Sequence, residues 1–162
     1  MAEDKKKQNQ QKPQKKSNDV KKLYHVSIAP GLHYDCMAGP SMSLHEGDDV
    51  ILQCEHYRDF GSITQIYDIT GTENQLEQHC QHSGKGRKVE GRRLPRIIRR
   101  ANLQDKSTAN ENDARASSMY KTAVTKANDY NLSMKIVNSH VSFDRKYVFF
   151  QFTSEERVDF RE

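Results

Sequence analysis

Apolar and polar residues alternate in two early stretches, Tyr24, Val26 and Ile28 and then Val50 and Leu52, the period of two that gives a strand one buried face. Four segments have this β character: Leu23 to Ile28, Leu32 to Cys36, Val50 to Cys54 and Ser62 to Ile69. Turn-forming residues lie between them at Pro30-Gly31, Gly39-Pro40, Glu46-Gly47-Asp48-Asp49 and Asp59-Phe60-Gly61. The spacing predicts a small antiparallel sheet or barrel. Further on the period changes. Ala116, Met119, Tyr120, Ala123, Val124, Ala127 and Tyr130 recur at steps of three and four, which places them on one face of a helix ending near Tyr130. Asn102 or Asp105 caps its start, Asn131 tolerates the left-handed conformation that ends a helix, and Leu132 folds back on the last turn. Met134 to Phe143 and Tyr147 to Thr153 read as strands joined by a turn at Asp144-Arg145-Lys146, a hairpin packed on the helix. Within it Tyr147, Phe149, Phe150 and Phe152 read as core and sheet faces rather than as platforms for stacked bases. The expected class is α+β: an N-terminal antiparallel sheet or barrel, then a strand, one amphipathic helix and a β-hairpin.

The chain has 162 residues, enough for one domain with a tail and too few for a large multidomain enzyme. Hydrophobic residues make up 34% and charged residues 30%, there is no Trp, and the mean hydropathy is -0.97. That average is more polar than a compact domain needs, so part of the chain is expected to stay unfolded. Residues 1–22, with eight lysines and Val20 as the sizeable aliphatic side chain after Met1, fit that part. They form either a basic arm for nucleic acid or an acidic partner, or a solvated tail. Residues 23–69 form the N-terminal β part, 70–91 a polar, glycine-containing loop, and 92–162 a C-terminal α+β domain. No apolar run approaches the roughly 18 residues of a membrane span, and no apolar segment follows the N-terminal lysines as in a secretory signal. An odd number of cysteines, three, fits a reducing compartment, and the expected address is the cytoplasm.

A net charge of +4 conceals two basic blocks. Residues 1–22 carry +5, residues 23–83 carry -8, residues 84–100 carry +7 and residues 101–162 are neutral. The +7 block does not have the spacing of a phosphate-binding loop, so its content is charge. Arg92, Arg93, Arg96, Arg99 and Arg100 hold five of its eight basic residues and are the candidate contact for RNA or an acidic partner, since the guanidinium fork suits phosphate. A solvated or partner-binding face is the competing reading.

Seven His and three Cys raise the question of a metal. Cys54 with His56, and Cys80 with His82, are spaced by one residue, which places both members on one strand face but matches no standard zinc knuckle. No metal is expected, with a zinc-dependent interaction module as the alternative. Asp48-Asp49 and Glu155-Glu156 fall in turns with no nucleophile or base beside them, so no hydrolase or nuclease site is assembled and the expectation is a protein that is not an enzyme.

Specific strings narrow the function. Leu94-Pro-Arg-Ile-Ile-Arg-Arg-Ala101, Leu132-Ser-Met-Lys-Ile-Val137, Phe143-Asp144, Phe150-Gln-Phe-Thr153 and the closing Arg157-Val158-Asp159-Phe160-Arg161 resemble the conserved C-terminal domain of the polymerase-suppressor (PSP) family. Tyr24-His-Val, Glu46-Gly47-Asp48 and Phe60-Gly61 further resemble its bacterial YaaT- or RicT-type stage-zero sporulation branch, extending the resemblance over residues 23–162. The resemblance implies a non-enzymatic cytoplasmic regulator that joins helical partner proteins in directing an endoribonuclease complex in mRNA maturation, with effects on sporulation, competence and biofilm. It implies that Arg157 to Glu162 opens a further helix. Iron-sulfur clusters in the family sit on Cys-Gly-Arg-x-Leu-Cys-Cys motifs beyond that string; Cys36, Cys54 and Cys80 do not match them, so no cluster is expected on these residues and no cofactor is assigned. Arg157, Asp159 and Arg161 either form an internal ion pair and cap or dock a partner.

Overall fold

The computed structural model describes residues 20–70 and 94–158. The elements in chain order are β1 (Val20–Ala29), β2 (Leu32–Ala38), β3 (Asp49–Gln53), β4 (Arg58–Thr70), β5 (Arg96–Arg100), α1 (Leu103–Asp129), β6 (Lys135–Val141) and β7 (Val148–Thr153). The first five close into a barrel in the order β1-β2-β5-β3-β4, and β6 with β7 forms a separate antiparallel hairpin, so the expected α+β class holds. No helix among the described residues is long and apolar enough to cross a membrane.

Side-chain alternation explains the barrel. Tyr24 and Val26 of β1, Val50 and Leu52 of β3, and Ile63 of β4 point inward with Cys36, Leu44 and Ile97 to form one buried cluster. Ile51, between two inward residues, is also buried, so β3 is covered on both faces. Gly31, with φ of 73°, makes the tight β1–β2 turn, and Gly47, with φ of 87°, feeds β3. Gly61 serves another need: a Cβ there would lie 2.6 Å from Val26 Cγ1 and 2.7 Å from the Ser27 carbonyl oxygen, so the glycine lets β4 press against β1.

Four features differ from the sequence reading. β1 starts at Val20, so Val20 to Lys22, placed in the N-terminal tail, are strand residues paired with β4; residues 1–19 lie outside the described residues. Asp59-Phe60-Gly61 is not a turn but the interior of β4, because each of the three finds an antiparallel partner on β3. β5, assigned with the C-terminal α+β part, is a stave of the barrel, pairing parallel with Met37 and Ala38 and antiparallel with Val50 to Gln53. Finally, Tyr147, Phe150 and Phe152 are each more than 40% exposed; Tyr147 and Phe149 both pack against Tyr57 beside the barrel, and Phe149 also stacks on His140 of β6.

Helix α1 is closed at both ends by its sequence. Asn102 accepts from the Asp105 amide and Asp105 accepts from the Asn102 amide, a capping box that uses both candidate caps. At the other end Asn131 has φ of 52°, with the Asn131 amide donating to Asn128 and the Leu132 amide to Ala127, a Schellman motif. The hairpin lies between α1 and the barrel. Ser139 donates to the Ala116 carbonyl, while Asn138 and Gln151 donate to the Pro30 and Gly31 carbonyls of the β1–β2 turn. His140 reaches Asp59 at 3.0 Å with both almost fully buried, and the Asp144 carboxylate accepts from the Arg58 amide.

Candidate functional site

The arginine block divides into different roles. Ile97 is 2% exposed and anchors β5 in the barrel core, while a register shift opposite Ile51 and Leu52 leaves Ile98 as an extra residue at 38% exposure. Arg99 grips Asp105 with both guanidinium nitrogens, one of them at 2.9 Å, and so ties the end of the barrel to the start of α1. The Arg99 guanidinium holds the Asp105 carboxyl below the usual carboxylate range, against the opposing effect of burial. Arg100 lies 2.7 Å from Asp48 and donates to the Ser43 carbonyl, which holds the loop before β3. Lys106 on α1 pairs with Asp49 at 2.7 Å. Burial pushes the Asp49 carboxyl up, but Lys106 and the Ser62 hydroxyl outweigh it and leave it below its ordinary value. Asp48 and Asp49 are thus consumed by structural pairs.

Arg96 is different. It is exposed, and its side chain makes no hydrogen bond or ion pair with any described residue. Arg92 and Arg93 lie outside the described residues. Arg96 sits on the wall of a groove of about 1020 Å3 between the start of β1, the end of β2, the 39–43 loop and β5. Lys21 and Lys22 stand on the same groove, and no Asp or Glu is among its described lining residues. Its floor is apolar: Tyr24, Met37, Met42 and Ile97. The two lysines escaped the sequence reading because they end a Lys/Gln-rich stretch of low complexity, and only their pairing with Ile69 and Asp68 on β4 reveals them as strand residues.

A second surface lies on the helix–hairpin layer. Ala127, Leu132, Met134, Ile136, Phe150 and Phe152 line a shallow apolar cleft of about 430 Å3 with Tyr130 at its border, itself 58% exposed. Ser154 donates to the Ser133 carbonyl beside this cleft and leads the chain to Arg157, which is exposed, and Val158; Asp159, Phe160 and Arg161 lie outside the described residues.

The cysteine pairs do not assemble in what is described. Cys54 is buried, with its thiol pushed up to about 11 by burial despite the Tyr57 hydroxyl beside it, whereas the His56 side chain is 66% exposed next to Glu55. The two side chains therefore do not share a site. Cys80 and His82 lie outside the described residues, and no group of three or more His, Cys, Asp or Glu suited to a metal ion occurs among the described ones. Cys36 is buried in the barrel.

With this geometry in place, comparison with known proteins is informative for one part of the chain. Residues 95–162 match the PSP1 C-terminal conserved region. Over 69 residues the chain is 39% identical to Stage 0 sporulation protein YaaT of Bacillus subtilis (strain 168). That alignment covers 43% of this chain and 25% of the relative, so the chain matches about a quarter of the length of the protein it resembles. No solved structure matches. The PSP1 region begins at Pro95, one residue before β5, so the first stave it contains closes a barrel whose other four staves precede it. Arg96, Arg99, Arg100, the capped helix and the hairpin all belong to it.

Proposed function

We propose that the chain is a non-catalytic regulatory protein related to sporulation, acting in the cytoplasm as an adaptor for an endoribonuclease complex in mRNA maturation. The observation that carries this reading is the match of residues 95–162 to the PSP1 region together with the 39% identity to a stage 0 sporulation protein. Two features of the geometry support it. The conspicuous acids Asp48, Asp49, Asp59 and Asp105 are engaged in ion pairs or hydrogen bonds that hold barrel, helix and hairpin together. The apolar cleft bordered by Phe150 and Phe152 is a surface of the kind that an amphipathic helix of a partner protein covers. Effects on sporulation, competence and biofilm follow in this account from altered transcript processing.

The test is affinity capture of the tagged chain from native lysate, with and without ribonuclease. The adaptor reading expects protein partners, an endoribonuclease among them, that remain bound after ribonuclease treatment. Capture of RNA alone, lost completely on ribonuclease treatment, contradicts it.

A further inference from the structure

The groove between β1, β2 and β5 has a chemistry of its own. Along its rim Lys21, Lys22 and Arg96 bring three cations to one opening with no carboxylate among the described lining residues; Asp68 stands opposite Lys22 on β4, outside the lining. Lys21 and Lys22 end the +5 segment of residues 1–22 and Arg96 belongs to the +7 block of residues 84–100, so the fold brings the described ends of the two basic blocks to one groove. Exposed Ser41 and Ser43 add hydroxyl donors on the 39–43 side. Arg99 and Arg100, which by sequence belong to the same block, are committed to Asp105 and Asp48 and leave Arg96 as the described arginine of β5 open to a ligand.

From this arrangement we infer that the groove binds the backbone of single-stranded RNA, with phosphates on the Lys21, Lys22 and Arg96 rim and bases over the partly exposed Met37 and Met42. A cationic rim over an apolar floor matches a polymer with one charge per residue along one edge and flat, weakly polar heterocycles along the other. A duplex hides those heterocycles, and a run of carboxylates has none. The groove, about 1020 Å3, is at the upper end of small-ligand clefts and open, as a polymer needs. Among the described lining residues no aromatic side chain is exposed, since Tyr24 is 4% exposed. Recognition is therefore through phosphate and shape and carries little sequence preference. The inference concerns RNA contact by this chain and stands apart from the adaptor reading, which concerns protein partners.

The test is fluorescence anisotropy of a labelled oligouridylate titrated with the full chain over a series of salt concentrations, for the natural protein and for K21Q/K22Q/R96Q. Each phosphate contact contributes roughly 0.7 to the log-log salt slope on a single strand, so loss of three contacts flattens the slope by about two units. Affinity at low salt falls at least tenfold, while the thermal midpoint of R96Q alone stays unchanged because the exposed Arg96 side chain makes no hydrogen bond or ion pair with a described residue. An unlabelled hairpin duplex and polyglutamate, at equal charge, compete poorly. The inference is overturned if the triple variant keeps the natural slope and affinity, if the natural chain does not bind the oligonucleotide, or if duplex or polyglutamate displaces it as well as single-stranded RNA does. If the triple variant melts early, the single variants K22Q and R96Q decide the matter, each expected to flatten the slope by about 0.7.

Discussion

Replacing His140 with Ala isolates the strongest polar link between barrel and hairpin. His140 Nε2 lies 3.0 Å from each oxygen of Asp59, and Asp59, the second residue of β4, is 0% exposed. The substitution leaves a carboxylate in the interior that keeps the Phe60 amide at 3.0 Å but has lost its side-chain partner. Removing one member of a buried pair costs about 3–5 kcal/mol, mostly from the stranded group. For a fold of this size each kcal/mol moves the thermal midpoint by about 2–8 °C, so the midpoint falls by at least about 6 °C. The sign of the pH effect is informative. Burial pushes the Asp59 carboxyl up, with His140 pulling it back, so in the variant it rises further. A group whose folded pKa is raised takes up its proton more readily in the folded state, so folding gains as the pH falls through that pKa. The deficit of H140A relative to the natural chain is therefore largest near neutral pH and shrinks in acid, and adding D59N to H140A recovers much of it. Urea unfolding followed by circular dichroism at several pH values measures this. A deficit below about 1 kcal/mol, or one that does not change with pH, refutes the reasoning.

Two further predictions concern the same framework. G61A should destabilise the barrel by about 1–3 kcal/mol, because the added Cβ meets Val26 Cγ1 and the Ser27 backbone oxygen on β1, and an unchanged midpoint in urea shows that β4 can shift at no cost. Asp49, Asp105 and Asp144 are held below the usual carboxylate range, the last because the Arg58 amide, Ser142 and Lys146 outweigh burial. Their stabilisation is complete above the ordinary carboxylate pKa of about 4 and is lost as the pH falls through the lowered values, so thermal midpoints should decline below about pH 4, and a midpoint that rises there contradicts the assignment.

Local signals in the sequence carried most of the element placement. Asn102, Asp105, Asn131 and Leu132 are short-range devices, and all four act at the ends of α1 as their chemistry requires. Period-two alternation likewise identified Tyr24, Val26, Val50 and Leu52 as inward residues. What was not legible depends on distant partners. Asp59 and Gly61 look like turn residues in isolation, yet one is buried against His140, 81 positions away, and the other is needed for the approach of β1. β5 has five residues whose place in the barrel is set by pairing with β2 and β3 across a long intervening segment. The exposure of Phe150 and Phe152 was hidden for a similar reason: β7 is the outer strand of a two-stranded layer, and alternation tells which residues share a face but not whether anything covers it. In the basic block, sequence counts charges, and only the acids supplied by other elements show which charges are already satisfied.

That division of the arginines is the central claim, and one paired measurement tests it directly. R99Q and R96Q remove the same charge three positions apart on one strand, and each is assayed for thermal midpoint and for oligouridylate affinity. R99Q is expected to lower the midpoint, by leaving Asp105 without its bidentate partner, while affinity stays within about twofold; R96Q is expected to lower affinity and leave the midpoint unchanged. Equal losses of affinity in both variants, with no change in either midpoint, would mean that the block acts as undivided charge and would contradict the account.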